Sequence, residues 1–329
     1  MTKPQYAFPP GSTVLVTGAN SYIGSHVINI LLGLGYRVRG TVRTPRPWLQ
    51  GLFDASHGPH TFDTAIVSDF QDKNAIENAI EGVSGVVHLA QAMPWDPANK
   101  DPVGYTVDGT LNILKAASTQ TSVKRVVLAS SIVAAGYPQG DRPFKFDTDT
   151  WDISTPETAI SIYTVCKTEG ERQSWKWVEE NKPHFILNTV LPWMNFGRTL
   201  HPEIGSSGHK FIRDLLKGDT FPFKVLPLQA WYIDVEDSAR LHVIALLSSE
   251  VKSERLFGAA APMTWADVIP IIRKTEPTNK LIPDPPESEN PSLGEVVPAA
   301  RAEGLIRSFF DRPGWTTLDQ SITATVKTA

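Results

Sequence analysis

Cysteine occurs once in the 329 residues, at Cys166. The chain therefore cannot close an internal disulfide, and a reducing compartment is expected. No stretch reaches the roughly 18 apolar residues that a membrane helix needs. The opening MTKPQYAFPPGS lacks the apolar run of a secretory signal. The expectation is a cytoplasmic protein with no membrane partner. Neither sign of charge dominates: the net charge is −4, which makes no case for nucleic acid. The eight histidines show no HxxxH or similar spacing, so no metal site is expected. His88, inside an expected strand, reads as structural. There is no internal repeat and no low-complexity tract. Acids are missing locally: the first is Asp54, and Lys3, Arg37, Arg39, Arg43 and Arg46 come before it. Such a start suits a polyanionic ligand, with chance fluctuation in an apolar segment as the competing explanation.

Apolar residues are plentiful, at 41%, and the length allows a large core and about two domains. The first half alternates short apolar runs with amphipathic ones. TVLVT (13–17), YRVRGTV (36–42), TFDTAIV (61–67), GVVHLA (85–90), KRVVLAS (124–130) and FILNTVL (185–191) read as strands. Several are apolar without alternation, as in a parallel sheet covered on both faces. YIGSHVINILLGLG (22–35), NAIENAIEG (74–82), GTLNILKAAS (109–118) and YTVCKTEGERQSWKWVEEN (163–181) read as helices, the last with its charges largely outward. This is the pattern of an α/β, doubly wound parallel sheet of Rossmann type. The expected division is 1–195 for the dinucleotide-binding domain, rejoined by about 229–261. Residues 196–228 and 262–329 form a smaller C-terminal substrate-binding lobe over the strand ends.

LVTGANSYIGSH (15–26) joins the first strand to the first helix. Gly18 is placed to make a sharp turn, and Gly24 to let the helix pack close to the sheet. A pyrophosphate fits against that helix N-terminus, where free N–H groups and the dipole favour anions. Ser21 stands where a middle glycine would let backbone approach the phosphate. Two readings are open: the hydroxyl bonds a phosphate oxygen, or the added Cβ weakens binding.

The fifth strand ends in LASS, with Ser130 and Ser131, and YTVCK puts Tyr163 and Lys167 four apart on a helix face. In a doubly wound sheet these ends meet at the cleft. Carbonyl reduction needs a proton delivered to oxygen. Tyrosine can supply it, and a nearby ammonium brings its pKa of about 10 toward working pH. A serine hydroxyl can stabilise charge developing on the oxygen.

With TGANSYIG, SS and YTVCK in order, the chain resembles the extended short-chain dehydrogenase/reductases, in the dihydroflavonol reductase and cinnamoyl-CoA reductase branch. Further likeness lies in YRVRGTVR (36–43), SVKRVVLASS (122–131), NKPHFILNTVLPWMNFG (181–197), WYIDVEDSARLHVIALL (231–247) and RPGW (312–315). It is closest to the fungal NADPH-dependent aldehyde/ketone reductases. The resemblance implies NADP (NADPH) as cofactor and Ser131, Tyr163 and Lys167 as catalytic residues. Lys167 would also hold the nicotinamide ribose. Cofactor positions carried over are Gly18, Ser21, Tyr22, Ile23, Gly24, Arg43 on the 2′-phosphate, Asp69 beside the adenine, Ala90 and Pro192. Arg39 or Arg46 would assist Arg43 or belong to the solvated surface. Asn112 would be either a site residue or a helix-to-strand link. Cys166, before Lys167, departs from the usual serine and reads as a buried small residue.

The substrate pocket is expected from QAMPWDP (91–97), PWMNFG (192–197) and EIGSSGHKF (203–211), with Met93, Trp95, Trp193, Met194 and Phe196 as apolar walls. The two cleft-edge segments 91–97 and 192–197 hold no arginine or lysine, which favours a bulky, neutral ketone or aldehyde as the small-molecule partner. A monomer or homodimer is expected. The alternatives are a hydroxysteroid-type dehydrogenase or epimerase of the same group, or a non-catalytic NADP-binding sensor suggested by Ser21.

Overall fold

The structure, a computed structural model, describes residues 5–91, 99–138, 142–225, 230–287 and 292–329. In chain order the strands are β1 (Thr13–Thr17), β2 (Arg37–Val42), β3 (Phe62–Ile66), β4 (Gly85–His88), β5 (Arg125–Ala129), β6 (Lys145–Phe146), β7 (Ile186–Pro192), β8 (Met194–Phe196), β9 (Trp231–Asp234), β10 (Arg255–Gly258), β11 (Ala261–Pro262) and β12 (Glu295–Val296). The helices are α1 (Tyr22–Gly33), α2 (Pro47–His57), α3 (Lys73–Ile80), α4 (Pro102–Thr119), α5 (Ile162–Asn181), α6 (Ser207–Leu216), α7 (Phe221–Val225), α8 (Val235–Leu247), α9 (Trp265–Thr275), α10 (Ala299–Phe310) and α11 (Leu318–Thr328).

Seven strands form one sheet in the order β10-β7-β5-β4-β1-β2-β3, every neighbouring pair parallel. The strand reversal lies beside β1, where ligands of such sheets bind. Side chains alternate between two apolar layers. Val14, Val16, Val87 and Val127 join the core under α1, α8 and α10. Leu15, Val86, Val126 and Leu187 join the core under α3, α4 and α5. Both faces are therefore dry, which is why these strands read as nearly continuous apolar runs. α8 packs on α1 and is buried almost all round, Asp237, Ser238 and His242 included.

Of the stretch 229–261, α8 and β10 join the main sheet, whereas β9 pairs with β8 and β11 in a separate three-stranded sheet. That sheet, with α6, α9 and α11, surrounds a third core containing Phe196, Phe211, Tyr232 and Trp265. α9 and α11 each begin with a full capping box, Thr264 with Asp267 and Thr317 with Gln320. α5 differs from expectation in one respect. Lys176 and Glu180 are exposed, but Glu171 is only 1% exposed and holds buried partners.

The late return of α8 and β10 is fastened by Asn188 on β7, which is wholly buried. Its amide donates to Ala245 O on α8 at 2.7 Å, and its carbonyl accepts from Glu254 N, just before β10, at 2.9 Å. Asn188→Ala strands both backbone groups. It is expected to lower unfolding free energy by about 3 kcal/mol, read from urea-unfolding midpoints. A midpoint equal to wild type would show that these groups find other partners.

Candidate active site

The turn after β1 is set by close approach. Gly18 has φ +68°, and a Cβ there would lie 3.3 Å from Ala90 N. A Cβ on Gly24 would fall 2.4 Å from Gly18 O and 2.7 Å from Ser21 Oγ, so only glycine fits. Ser21 is the N-cap of α1: its backbone is extended and its Oγ accepts from Gly24 N at 3.1 Å. The serine thus occupies space inside the turn while leaving the helix mouth open. Ser21, Tyr22 and Ile23 line the cleft, where the first helical N–H groups have no partner within the helix. The Tyr22 phenol turns away and donates to Gly197 O at 2.6 Å, among Ile204 and Val235.

One cleft of about 1380 Å³ runs from this turn across the strand ends. At one end it meets Arg43, just past β2, and Asp69, past β3. Arg43 is exposed and, among the described residues, has no ion-pair partner. Arg39 is committed elsewhere: it donates to Ala79 O and Glu81 O and pairs with Asp63 at 3.7 Å. Asp69 accepts from Gln71 N at 2.8 Å and from the Tyr105 hydroxyl on α4. Asn112 is a link, its amide donating to Phe70 O at 3.0 Å. Thr17 Oγ1 lies 2.9 Å from His88 Nδ1 and accepts from Leu89 N and Ala90 N, fixing the segment at Ala90. Burial lowers the His88 imidazole to about 3, so it is neutral.

Ser131, Tyr163 and Lys167 come together on the wall of the cleft that Ala90 and Pro192 also line. Ser131 opens a short 3₁₀ turn (Ile132–Ala134) after β5, in extended conformation, and its side chain hydrogen-bonds Tyr163. Lys167 lies one turn further along α5, its Nζ 5.9 Å from the Tyr163 ring centre and 2.8 Å from Ala129 O, to which it donates. Burial pushes the Lys167 ammonium down to about 8, with Glu171 opposing. Tyr163 differs from the sequence-based expectation. Burial raises its pKa, the Ser131 bond pulls the other way, and the lysine turned to Ala129 O does not offset the burial. The phenol is therefore held neutral, the state a proton donor needs.

Beyond these residues the cleft is walled by Val133, Tyr137, Trp193, Met194, Phe211 and residues 205–208 at the start of α6. Trp193 stacks near Phe146 and Trp231, at 6.3 and 6.2 Å between ring centres. Phe196 is not in this wall. α6 crosses β8 so closely that a Cβ on Gly208 would lie 2.1 Å from Asn195 O, and the helix covers Phe196 in the third core. Met93 and Trp95 lie outside the described residues. Lys100, just beyond the 91–97 segment, adds one cation to the lining. Sequence reasoning also missed Tyr105, Tyr137 and Glu171. For Glu171 a signal existed: it stands four residues after Lys167, on the same helix face.

Residues 14–257 match the NAD dependent epimerase/dehydratase family. The chain is 55% identical to the ketoreductase adrE of Penicillium rubens, over 98% of each chain. It is 34% identical to aldehyde reductase 2 of Sporidiobolus salmonicolor, over 95% of each. Its fold superposes on the crystal structure of yeast methylglyoxal/isovaleraldehyde reductase Gre2 complexed with NADPH. That match has a TM-score of 0.81, covers 96% of this chain and 97% of the other, and has 24% identity.

The cap assigned to Ser21 is separable from any ligand role. Ser21→Ala is expected to cost about 1 kcal/mol of stability and Ser21→Gly only a few tenths, measured by chemical denaturation of the free protein. An alanine variant as stable as wild type would contradict the cap.

Proposed function

The chain belongs to the NAD dependent epimerase/dehydratase family, and we propose that within it this protein is an NADPH-dependent carbonyl reductase, converting a bulky, largely apolar ketone or aldehyde to the alcohol. The observation that carries this reading is the meeting of Ser131, Tyr163 and Lys167 on one wall of the cleft that also contains the glycine turn. The names of the similar proteins, a ketoreductase and an aldehyde reductase, agree with it.

A dinucleotide fits the residues present. The turn at Gly18 and Gly24 leaves no room for other side chains, and the mouth of α1 has no acid in its first turn. The pyrophosphate would lie against Ser21, Tyr22 and Ile23. A hydroxyl that accepts the Gly24 bond still has its own proton to donate, so Ser21 serves as cap and phosphate ligand together. Asp69, oriented by Tyr105, takes the adenine end. Arg43, which has no ion-pair partner among the described residues, meets the 2′-phosphate. When bound, the dinucleotide supplies the hydride that the carbonyl carbon accepts.

The protein's own part is proton delivery and orientation. Ser131 and Tyr163 hydroxyls together hold the carbonyl oxygen, Ser131 by a hydrogen bond and Tyr163 as the acid whose proton the oxygen takes. Lys167 then faces the phenolate and stabilises it. The aromatic walls exclude water and favour a neutral substrate, since a charged one would lose its hydration without a matching partner.

Three outcomes test this. Arg43→Ala should raise the Kd for NADPH by about tenfold or more and that for NADH by less than about twofold, by calorimetric titration; equal losses would remove Arg43 from the 2′-phosphate. The pH dependence has a definite sign. The Lys167 ammonium is present below about 8 and lost above it. With NADPH and an aryl ketone panel, kcat should therefore hold on the acid side and fall as pH rises through about 8. Tyr163→Phe should lower kcat by at least about a hundredfold. A rate that stays flat to pH 10, or a phenylalanine variant as fast as wild type, would count against the mechanism.

A further inference from the structure

The end of β5 is fastened to α5 residue by residue. Ala129 O accepts from Lys167 Nζ at 2.8 Å, Ser130 Oγ donates to Glu171 Oε2 at 2.6 Å, and Ser131 bonds Tyr163. On α5 the three partners stand at 163, 167 and 171, one helical turn apart on a single face. Two of these rungs belong to the chemistry described above. The third does not touch the reacting atoms, yet it is the most heavily anchored of the three.

Glu171 is 1% exposed. Besides Ser130 it accepts from Thr189 Oγ1 on β7 at 2.7 Å, from Arg255 Nε on β10 at 2.8 Å and from Trp175 Nε1 at 3.3 Å. Arg255 in turn donates to Thr148 O and Thr150 O, each at 2.8 Å, and lies 3.8 Å over the Trp151 ring. One carboxylate thus refers the position of α5 to β5, β7 and β10 at once.

We propose that Glu171 is a positioning residue for the reduction, acting on both sides of the proton donor. Through Ser130 it fixes where β5 ends and so where Ser131 meets Tyr163, and its charge is the counter-ion of Lys167 in the dry cleft wall. This rests on the reductase reading above. The groups facing Lys167 are Tyr163, Cys166 and Glu171 on α5, His88 on β4 and His242 on α8; Arg255 on β10 faces Glu171. Burial holds His88 and His242 at about 3 and about 4, so neither carries charge at working pH. Glu171 is the main group that favours the ammonium, with Cys166 adding to it, and removing Glu171 leaves the Arg255 cation repelling Lys167 instead.

The test has one readout that needs no turnover. In protein carrying carbon-13 lysine, the Lys167 Cε signal is assigned by its loss in Lys167→Arg and followed with pH. Glu171→Gln should lower its midpoint by about one unit or more, while Glu171→Asp, which keeps the charge, should leave it in place. An unmoved midpoint in Glu171→Gln overturns the proposal. Should that variant not fold, Glu171→Gln with Arg255→Met removes the unpaired guanidinium and takes its place. The second readout is kinetic. Ser130→Ala should lower kcat by about tenfold with KM within about twofold; an unchanged kcat overturns the proposal. A wild-type enzyme that reduces no carbonyl would instead refute the reductase reading, leaving the lysine titration to be judged by itself.

Discussion

A buried ion pair, Glu171 with Arg255, holds together the place where β5, β7, β10 and α5 meet. Neither side chain is more than 7% exposed. Taking two charges out of water costs several kcal/mol per ion, and mutual attraction alone seldom offsets it. Here the remaining lone pairs and N–H groups are satisfied by Ser130, Thr189, Trp175 and two backbone carbonyls. The arrangement contributes definition more than net stability: apolar residues could fill the same volume, but could not fix α5 to a single register against three strands. Everything that needs α5 in that register, from the Ser131–Tyr163 bond to the Lys167 contact with Ala129 O, follows from it.

The opposite end of the cleft is organised by shape and by what is absent. Gly18 and Gly24 bring strand, turn and helix closer than any side chain allows. The first turn of α1 carries no acid, and Arg43 has no ion-pair partner among the described residues. A polyanion therefore meets uncompensated N–H dipoles and an uncommitted guanidinium in sequence along one groove. Ser21 does not spoil this. Its added atoms point into the turn, where they satisfy the Gly24 N–H that a glycine there would have left to solvent or ligand.

The parallel sheet was readable because both its faces are dry, which writes runs of Val, Ile and Leu into β1, β4, β5 and β7, broken within β7 by Asn188 and Thr189. Gly18, Ser131, Tyr163 and Lys167 were readable because each sits at a strand end or on one helix face, and topology sends those places to a common edge. Phe196 was misjudged because position along the chain says nothing about a helix arriving from 207–216 to cover it. Glu171 was missed for a related reason: a carboxylate in a charged helix normally faces water, and its partners Thr189 and Arg255 are distant in sequence. The stretch 229–261 read as rejoining the first domain as a whole; the pairing of β9 with β8 and β11 depends on long-range contacts that periodicity does not encode.

These two halves explain how one cleft can bind a highly charged ligand and a neutral one side by side. Charge is met at the outer end by groups that stay solvated, Arg43 and the helix mouth, so little desolvation is required. At the inner end Trp193, Met194, Phe211 and Tyr137 remove water, and the same dryness lowers Lys167 and raises Tyr163. Left alone, that dryness would strip Lys167 of its proton and remove the ion that a departing phenolic proton requires. A buried anion one turn away resolves the conflict, because it restores the ammonium without admitting water. On the proposed reading the aromatic walls and the Glu171 network are one device: the first would make the site selective for uncharged carbonyl compounds, and the second would keep proton transfer possible inside it.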